Sequence, residues 1–400
     1  MQPSETVAAD GGRGTQRVWF AQALRGMACL IVVVEHLGHD YFATPGVVSL
    51  LAFTPPDKRL VIPSPAIQTS VFGWLDNVHL WPGAFGVALF FLISGFVIPF
   101  SLERNTIGGF FIRRFFRLYP TLWTAIGITL AVLAVQAWFL GAAFPYHGDT
   151  IASSGGLVGV YLGKAWVDPV YWTLAIEEIF YAIAALCAWR GALHRRATVV
   201  LVAAALTTVC VTIGPPDPTT SVPPLWYLRT HLARNSGFVV FILIGLVFHE
   251  HYRGTWGTRS SLVTGTGLIA LFTVCLYNGP FPGNQAAIFL VSTMSALVVF
   301  TLLYLARDLV PYLRPLDWLA DVSYPLYLVH TIIGWILMRV FFRYFTSYAV
   351  VVPLTMAIVI ALAAVVHRYV EVPTNRLGRR LGSRQARTSG SALDEVAVPG

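Results

Sequence analysis

Apolar residues along this chain gather in long blocks separated by shorter polar stretches. Ten blocks fall near the roughly 17–25 residues that a helix needs to cross the hydrocarbon core. They lie at about 18–38, 82–101, 119–142, 170–189, 197–214, 236–250, 261–278, 285–306, 323–342 and 348–368. The pattern predicts an all-α fold, an integral membrane bundle of about ten transmembrane helices. Placing the N-terminus inside sorts the basic residues: 19 Lys and Arg fall on inner segments and 7 on outer ones. That bias satisfies the positive-inside rule with the N- and C-termini both cytoplasmic. The expected organisation is a polar N-terminal segment 1–17, a membrane domain 18–373 and a disordered cytoplasmic tail 374–400.

Composition agrees. The chain is 56% hydrophobic and 12% charged, where a soluble domain carries about 25% charge. Its surface is therefore solvated by lipid. The net charge of +8 belongs to inner loops, and no nucleic-acid partner is expected. Four cysteines, Cys29, Cys187, Cys210 and Cys275, all lie in apolar stretches. None has metal-ligand spacing, and no metal is expected. No small-residue cleavage site follows the first apolar block, which reads as an uncleaved helix. Three outer segments, about 39–81, 143–169 and 215–235, are rich in Pro, Gly and aromatics. They are expected to fold over the outer mouth. No internal repeat is visible, which weakens a transporter reading.

Several blocks hold residues that lipid does not tolerate. Arg25 and His36 share the first block, eleven residues apart. At about 100° and 1.5 Å per residue they fall within about 20° of one face, roughly 16 Å apart along the axis. An Arg at the centre of a span costs about 2.5–3.5 kcal/mol, so the pair implies a polar seam within the bundle. His36 lies near the outer end, where an imidazole can act as general base for a hydroxyl; the alternative is a packing histidine. Cys29 lies on the same stripe and is more often a packing residue than an acyl carrier. Glu35 points about 100° away.

Three further groups stand out. After the second block comes a basic inner loop with Arg113, Arg114, Arg117 and Tyr119. Arg114 and Arg117, three apart, would share a helix face. Guanidinium groups grip phosphate oxygens, or simply set topology and touch lipid headgroups. The fourth block opens with Trp172, then Thr173, Glu177 and Tyr181 four apart. Glu177 at that depth must face a cavity or a partner. It could pair with Arg25 or fix the charge state of a histidine. The ninth block opens with Ser323, Tyr327 and His330 on one face. His330 is either a cavity residue or a helix contact. Arg229, His231 and Arg234 precede the sixth block on the outer side, where they could meet an acceptor.

Taken together these pieces resemble the acyltransferase 3 family of polytopic membrane O-acyltransferases. The residues that carry the resemblance are Arg25 and His36; Arg113, Arg114, Arg117, Leu118, Tyr119 and Pro120; the run Phe90–Phe96; Trp172, Thr173, Leu174, Glu177, Phe180 and Tyr181; and Ser323–His330. They stand in the family's order over about residues 20–373. The resemblance implies transfer of an acyl group, usually acetyl from acetyl-CoA, to a hydroxyl of a surface polysaccharide, lipid-linked glycan or glycosylated natural product. It implies His36 and Arg25 as the catalytic pair, with Glu177 in support. It implies the Arg113–Arg117 loop, with Arg114, as the acyl-CoA contact; Tyr119 is expected beside it, and Trp172, Tyr181, His330 and Arg234 are expected toward the substrate from their own places in the chain. The expected surroundings are membrane lipid and the cell inner (plasma) membrane. The rival expectation is a transporter or flippase of a lipid-linked glycan, which would use the same inward charges as a path and need no acyl-CoA.

Overall fold

The computed structural model describes residues 18–55, 65–213, 223–281 and 283–383. The N-terminal segment 1–17, parts of two outer segments (56–64 and 214–222) and residues 384–400 lie outside the described residues. Among the described residues there are ten spans when one bent pair counts as a single crossing. They are α1 (Trp19–Ala43), α2 (Pro82–Glu103), α3 (Ile107–Leu140), α4 (Trp172–Trp189), α5 (Arg196–Ile213), α6 (Pro223–Tyr252), α7 (Thr258–Asn278), α8 (Gln285–Leu305), the pair α9 (Arg314–Val329) and α10 (Thr331–Phe341), and α11 (Tyr348–Ser383). No strand occurs among the described residues.

Local chemistry sets the ends. The Thr106 hydroxyl accepts from the Gly109 N–H and starts α3, and Gly141 at φ +63° stops it. The basic stretch expected in a loop after the second span is therefore helical, and α3 begins twelve residues before the block read from hydropathy. Interior packing rests on small residues. Gly95 of α2 faces Gly245 of α6 so closely that a Cβ on Gly95 would lie 2.0 Å from the Ile242 carbonyl oxygen. Without a hydrophobic drive between helices in lipid, such close approach is what binds them. Helix α1 lies inside the bundle against α2 and α9, which is why its polar residues escape lipid.

Helix α6 likewise starts at Pro223, thirteen residues before its predicted block, and α11 and the ninth crossing depart from the sequence reading too. The tail expected to be disordered from 374 continues as helix to Ser383. A wide π-turn at His367–Glu371 precedes Pro373, whose missing N–H breaks the regular ladder there. Beyond it Gly378 and Gly382 lie flush on α3: a Cβ on Gly378 would come 2.7 Å from Phe116 Cβ. The Arg113 guanidinium also donates to the Ser383 hydroxyl at 3.0 Å. The ninth crossing is bent by 75° at His330. There the imidazole Nδ1–H donates to the carbonyls of Leu326 (3.1 Å) and Tyr327 (2.9 Å), satisfying the end of α9. The buried Asp168 carboxylate accepts from the Ile332 N–H at 3.3 Å and caps α10.

Candidate active site

Polar residues converge in two places along α1. The first is a cavity of about 100 Å³ between α1, α2, α3, α4 and α9. Arg25, Arg114, Arg117, Glu177, Tyr181 and Tyr327 all line it. Arg114 and Arg117 share a helix face, as their spacing requires. The Arg114 guanidinium lies over the rings of Tyr181 (5.2 Å) and Phe110 (5.5 Å). Glu177 accepts from the hydroxyls of Ser94 (2.7 Å) and Tyr181 (2.7 Å). Arg25 feels the charges of Arg117, Glu371 and Glu177. Four charges thus share one small space, and a cavity with an excess of guanidinium groups suits an anionic ligand.

Arg113 and Tyr119 are not in that lining. Arg113 turns to Ser383, and the Tyr119 hydroxyl donates to Glu178 at 2.5 Å. Tyr119 lies about 140–160° around α3 from Arg114 and Arg117, whereas Arg113 is about 100° from Arg114 but only about 40° from Arg117, so it is its bond to Ser383 that takes it from the cavity.

The second place is at the C-terminal end of α1. Here the α-helix widens into a π-turn, Glu35–Asp40, a distortion often found at functional sites. His36 Nδ1 lies 2.8 Å from the Val32 carbonyl oxygen, so Nδ1 carries the proton and donates. The same N–H faces His330 Nε2 at 3.3 Å. His330 has already committed its own Nδ1–H to the end of α9, so its Nε2 is an acceptor. Both rings are therefore fixed in one tautomer, and His36 Nε2 keeps its lone pair. It lies 3.9 Å from an oxygen of Asp40, with the His36 side chain 19% exposed. Trp335 Nε1–H donates to the His36 carbonyl at 2.8 Å and pins the turn. An imidazole held this way can accept a proton at Nε2, with the Asp40 carboxylate 3.9 Å away to face the charge it would gain.

Around it residues of the stretch before α2 pack on this end of α1. Glu35, fully buried, accepts from Trp81 Nε1–H (2.5 Å) and bonds to His39 (2.8 Å). His39 stacks on Phe72 at 4.7 Å and reaches Asp76 at 3.4 Å. Burial pushes the Asp168 carboxyl up to about 6, against the pull of two backbone N–H groups and His36. Arg234 lies over Trp172 at 5.5 Å and Phe281 at 6.0 Å, so two of the expected substrate residues do meet.

Tyr327 joins the two places. Its hydroxyl bonds to Thr173 (2.9 Å) and to the Val170 carbonyl (3.1 Å) at the cavity wall. Its carbonyl holds His330, which touches His36. The single seam expected from Arg25 to His36 is thus two pockets of polarity with Tyr327 and His330 packed between them. His36 is not part of the cavity lining. The carboxylate beside His36 is Asp40, whereas Glu177 serves the arginine end. Asp40 was missed in the sequence, although it stands four residues after His36, a spacing that puts two side chains on one helix face. Ser94 and Asp168 come from other elements, and no spacing on α1 or α4 announces them.

The fold and site define a polytopic membrane protein with a cationic cavity and an oriented histidine at opposite ends of one buried helix. A family model described as an acyltransferase domain, Acyl_transf_3, matches residues 18–368. The chain belongs to the acyltransferase 3 family and is a multi-pass membrane acyltransferase. No curated protein and no solved structure matches it.

Proposed function

We propose that this acyltransferase moves an acetyl group from acetyl-CoA to a hydroxyl of a sugar, on a surface polysaccharide, lipid-linked glycan or glycosylated natural product, in the inner (plasma) membrane. The observation that supports this reading most is the separation of an arginine-rich cavity from an oriented imidazole along α1. Phosphates of the donor would rest on Arg114 and Arg117, with Arg113 at the rim beside Ser383. The thin acyl-bearing arm would pass Arg25 and displace Tyr327 to reach His36. His36 Nε2 takes the proton of the acceptor hydroxyl, and the oxygen attacks the thioester carbonyl carbon. The tetrahedral intermediate collapses, the carbon–sulfur bond breaks, and the imidazolium returns its proton to the departing thiolate. Asp40 stabilises the imidazolium between these steps. Glu177 holds Tyr181 and Ser94 and balances Arg25. The hydroxyls of Tyr181 and Thr173 already donate to Glu177 and to the Val170 carbonyl, so neither is a free oxyanion donor. Arg234 over Trp172 suits the acceptor side, where a flat apolar face and a cation meet a sugar.

The test compares the masses of surface glycans and small glycosides with and without the gene. Loss of one acetyl mass from one glycan species on deletion, restored by the wild-type chain and not by His36→Ala, is the expected result. Unchanged acetylation with altered glycan export would overturn the proposal in favour of a transport role.

A further inference from the structure

A second constellation lies away from the acyl-transfer site, at the bundle end where α2 gives way to α3. Glu103 closes α2, His194 sits in the turn between α4 and α5, and His249 lies in the last turn of α6. His249 is fully buried and its Nδ1 lies 3.0 Å from the Phe96 carbonyl oxygen. A carbonyl only accepts, so His249 Nδ1 carries the proton and Nε2 offers a lone pair. That Nε2 lies 3.1 Å from Glu103 Oε1. His194 repeats the logic. Its Nδ1 lies 2.7 Å from Glu250 Oε1, and its Nε2 faces the same Glu103 oxygen at 3.8 Å. Two imidazole lone pairs and a carboxylate oxygen converge, all within 4.8 Å of one another.

Three acceptors gathered around one point call for a cation. We propose that Glu103, His194 and His249 form a binding site for a divalent cation of the zinc class. Bonds of about 2.0–2.2 Å in tetrahedral geometry set ligand atoms roughly 3.3–3.5 Å apart, and the observed 3.1 and 3.8 Å bracket that spacing. The surrounding shell has the form that metal-binding histidines need. Each Nδ1–H is held by an acceptor, one a carbonyl and one the buried carboxylate of Glu250. Glu250 in turn accepts from the Thr255 hydroxyl, and Trp256 Nε1–H donates to the His194 carbonyl at 2.9 Å. Arg253 lies 3.6 Å from the other Glu103 oxygen, leaving Oε1 as the single carboxylate ligand. An adjoining space of about 450 Å³, lined by Glu103, Arg104, His194, Arg253 and Thr255, gives an ion a way in and room for a water as fourth ligand. The site would staple the end of α2 to the α4–α5 turn and α6. Sequence spacing did not reveal it, because the ligands come from three distant segments.

The full chain, purified in detergent and stripped with a chelator, is titrated with zinc chloride by calorimetry, and with cobalt(II) by absorption. One zinc per chain is expected, with a rise in melting temperature. His194→Ala, at a side chain 43% exposed, should weaken binding by more than about tenfold, since loss of even an outer partner costs that much. Glu103→Gln should do the same. Cobalt should give tetrahedral bands without thiolate charge transfer. Three results would each overturn the site: no uptake by the wild-type chain, equal uptake by both variants, or a thiolate band marking Cys210 and Cys275 as the ligands.

Discussion

The two ends of α1 solve opposite problems. Around Arg25 there is open volume, and guanidinium groups from α1 and α3 share it with one lining carboxylate. Around His36 the ring N–H and the backbone carbonyl are both engaged, and the Nε2 lone pair is left over. The Nδ1–H is held by Val32 and His330, the His36 carbonyl by Trp335, and the neighbouring Glu35 by Trp81 and His39. The first end is built to receive charge and leaves its cations free to meet it. The second holds one imidazole in one orientation and one tautomer. Affinity and chemistry should therefore separate under mutation.

The sharpest test of that separation is His36→Ala. General-base loss costs about 10²–10⁴ in rate, so kcat should fall by that factor while the KM for acetyl-CoA stays within a few-fold. A parallel rise in donor KM would merge the two ends and break the comparison. Next, Arg114→Ala and Arg117→Ala should each raise the donor KM by about tenfold or more, the worth of a charge-assisted contact of about 1.5–3 kcal/mol, with kcat nearly kept. Steady-state kinetics in nanodiscs reads both. Asp40→Asn should cost less, about tenfold in kcat/KM, or about 1.4 kcal/mol. With the carboxylate gone the imidazolium loses its stabilising charge, and an unchanged kcat/KM in this variant would remove Asp40 from the account.

The smallest effect concerns stability. Asp168 sits at about 6 when folded, above its ordinary 3.8. A group raised in this way contributes stability that is present below about 4 and lost as pH rises through about 6. Relative to Asp168→Asn, the wild-type chain should therefore gain stability on going from pH 7 to pH 4.5. The ceiling is about 3 kcal/mol at 1.36 kcal/mol per pH unit. Thermal melts across that range check it, and a pH-independent difference would mean that the carboxyl is not buried as described.

Much of this was legible in the chain because lipid makes polarity expensive. Ten apolar blocks gave ten crossings, and the arginine pair at 114 and 117 fell on one face as its spacing demanded. Hydropathy was less informative where helices run on past the membrane. Helix α3 starts at Ile107 under a Thr106 cap, and α11 reaches Ser383 through the small-residue contact of Gly378 and Gly382 with α3, features that an apolar count ignores. Pairings across helices were also invisible: Ser94 with Glu177, Asp168 with Ile332, His330 with His36. The eleven-residue spacing of Arg25 and His36 correctly put both inside the bundle. It carried no information about Tyr327, which comes from α9 and stands between them.

The most direct test of a donor reaching His36 from the arginine end is a structure with a non-hydrolysable acetyl-CoA analogue bound. The account predicts phosphates on Arg114 and Arg117, the Tyr327 ring displaced, and the acyl carbon within reach of a hydroxyl hydrogen-bonded to His36 Nε2. An analogue whose acyl end stops on the Arg25 side of an unmoved Tyr327, or leaves the bundle toward lipid, would contradict it.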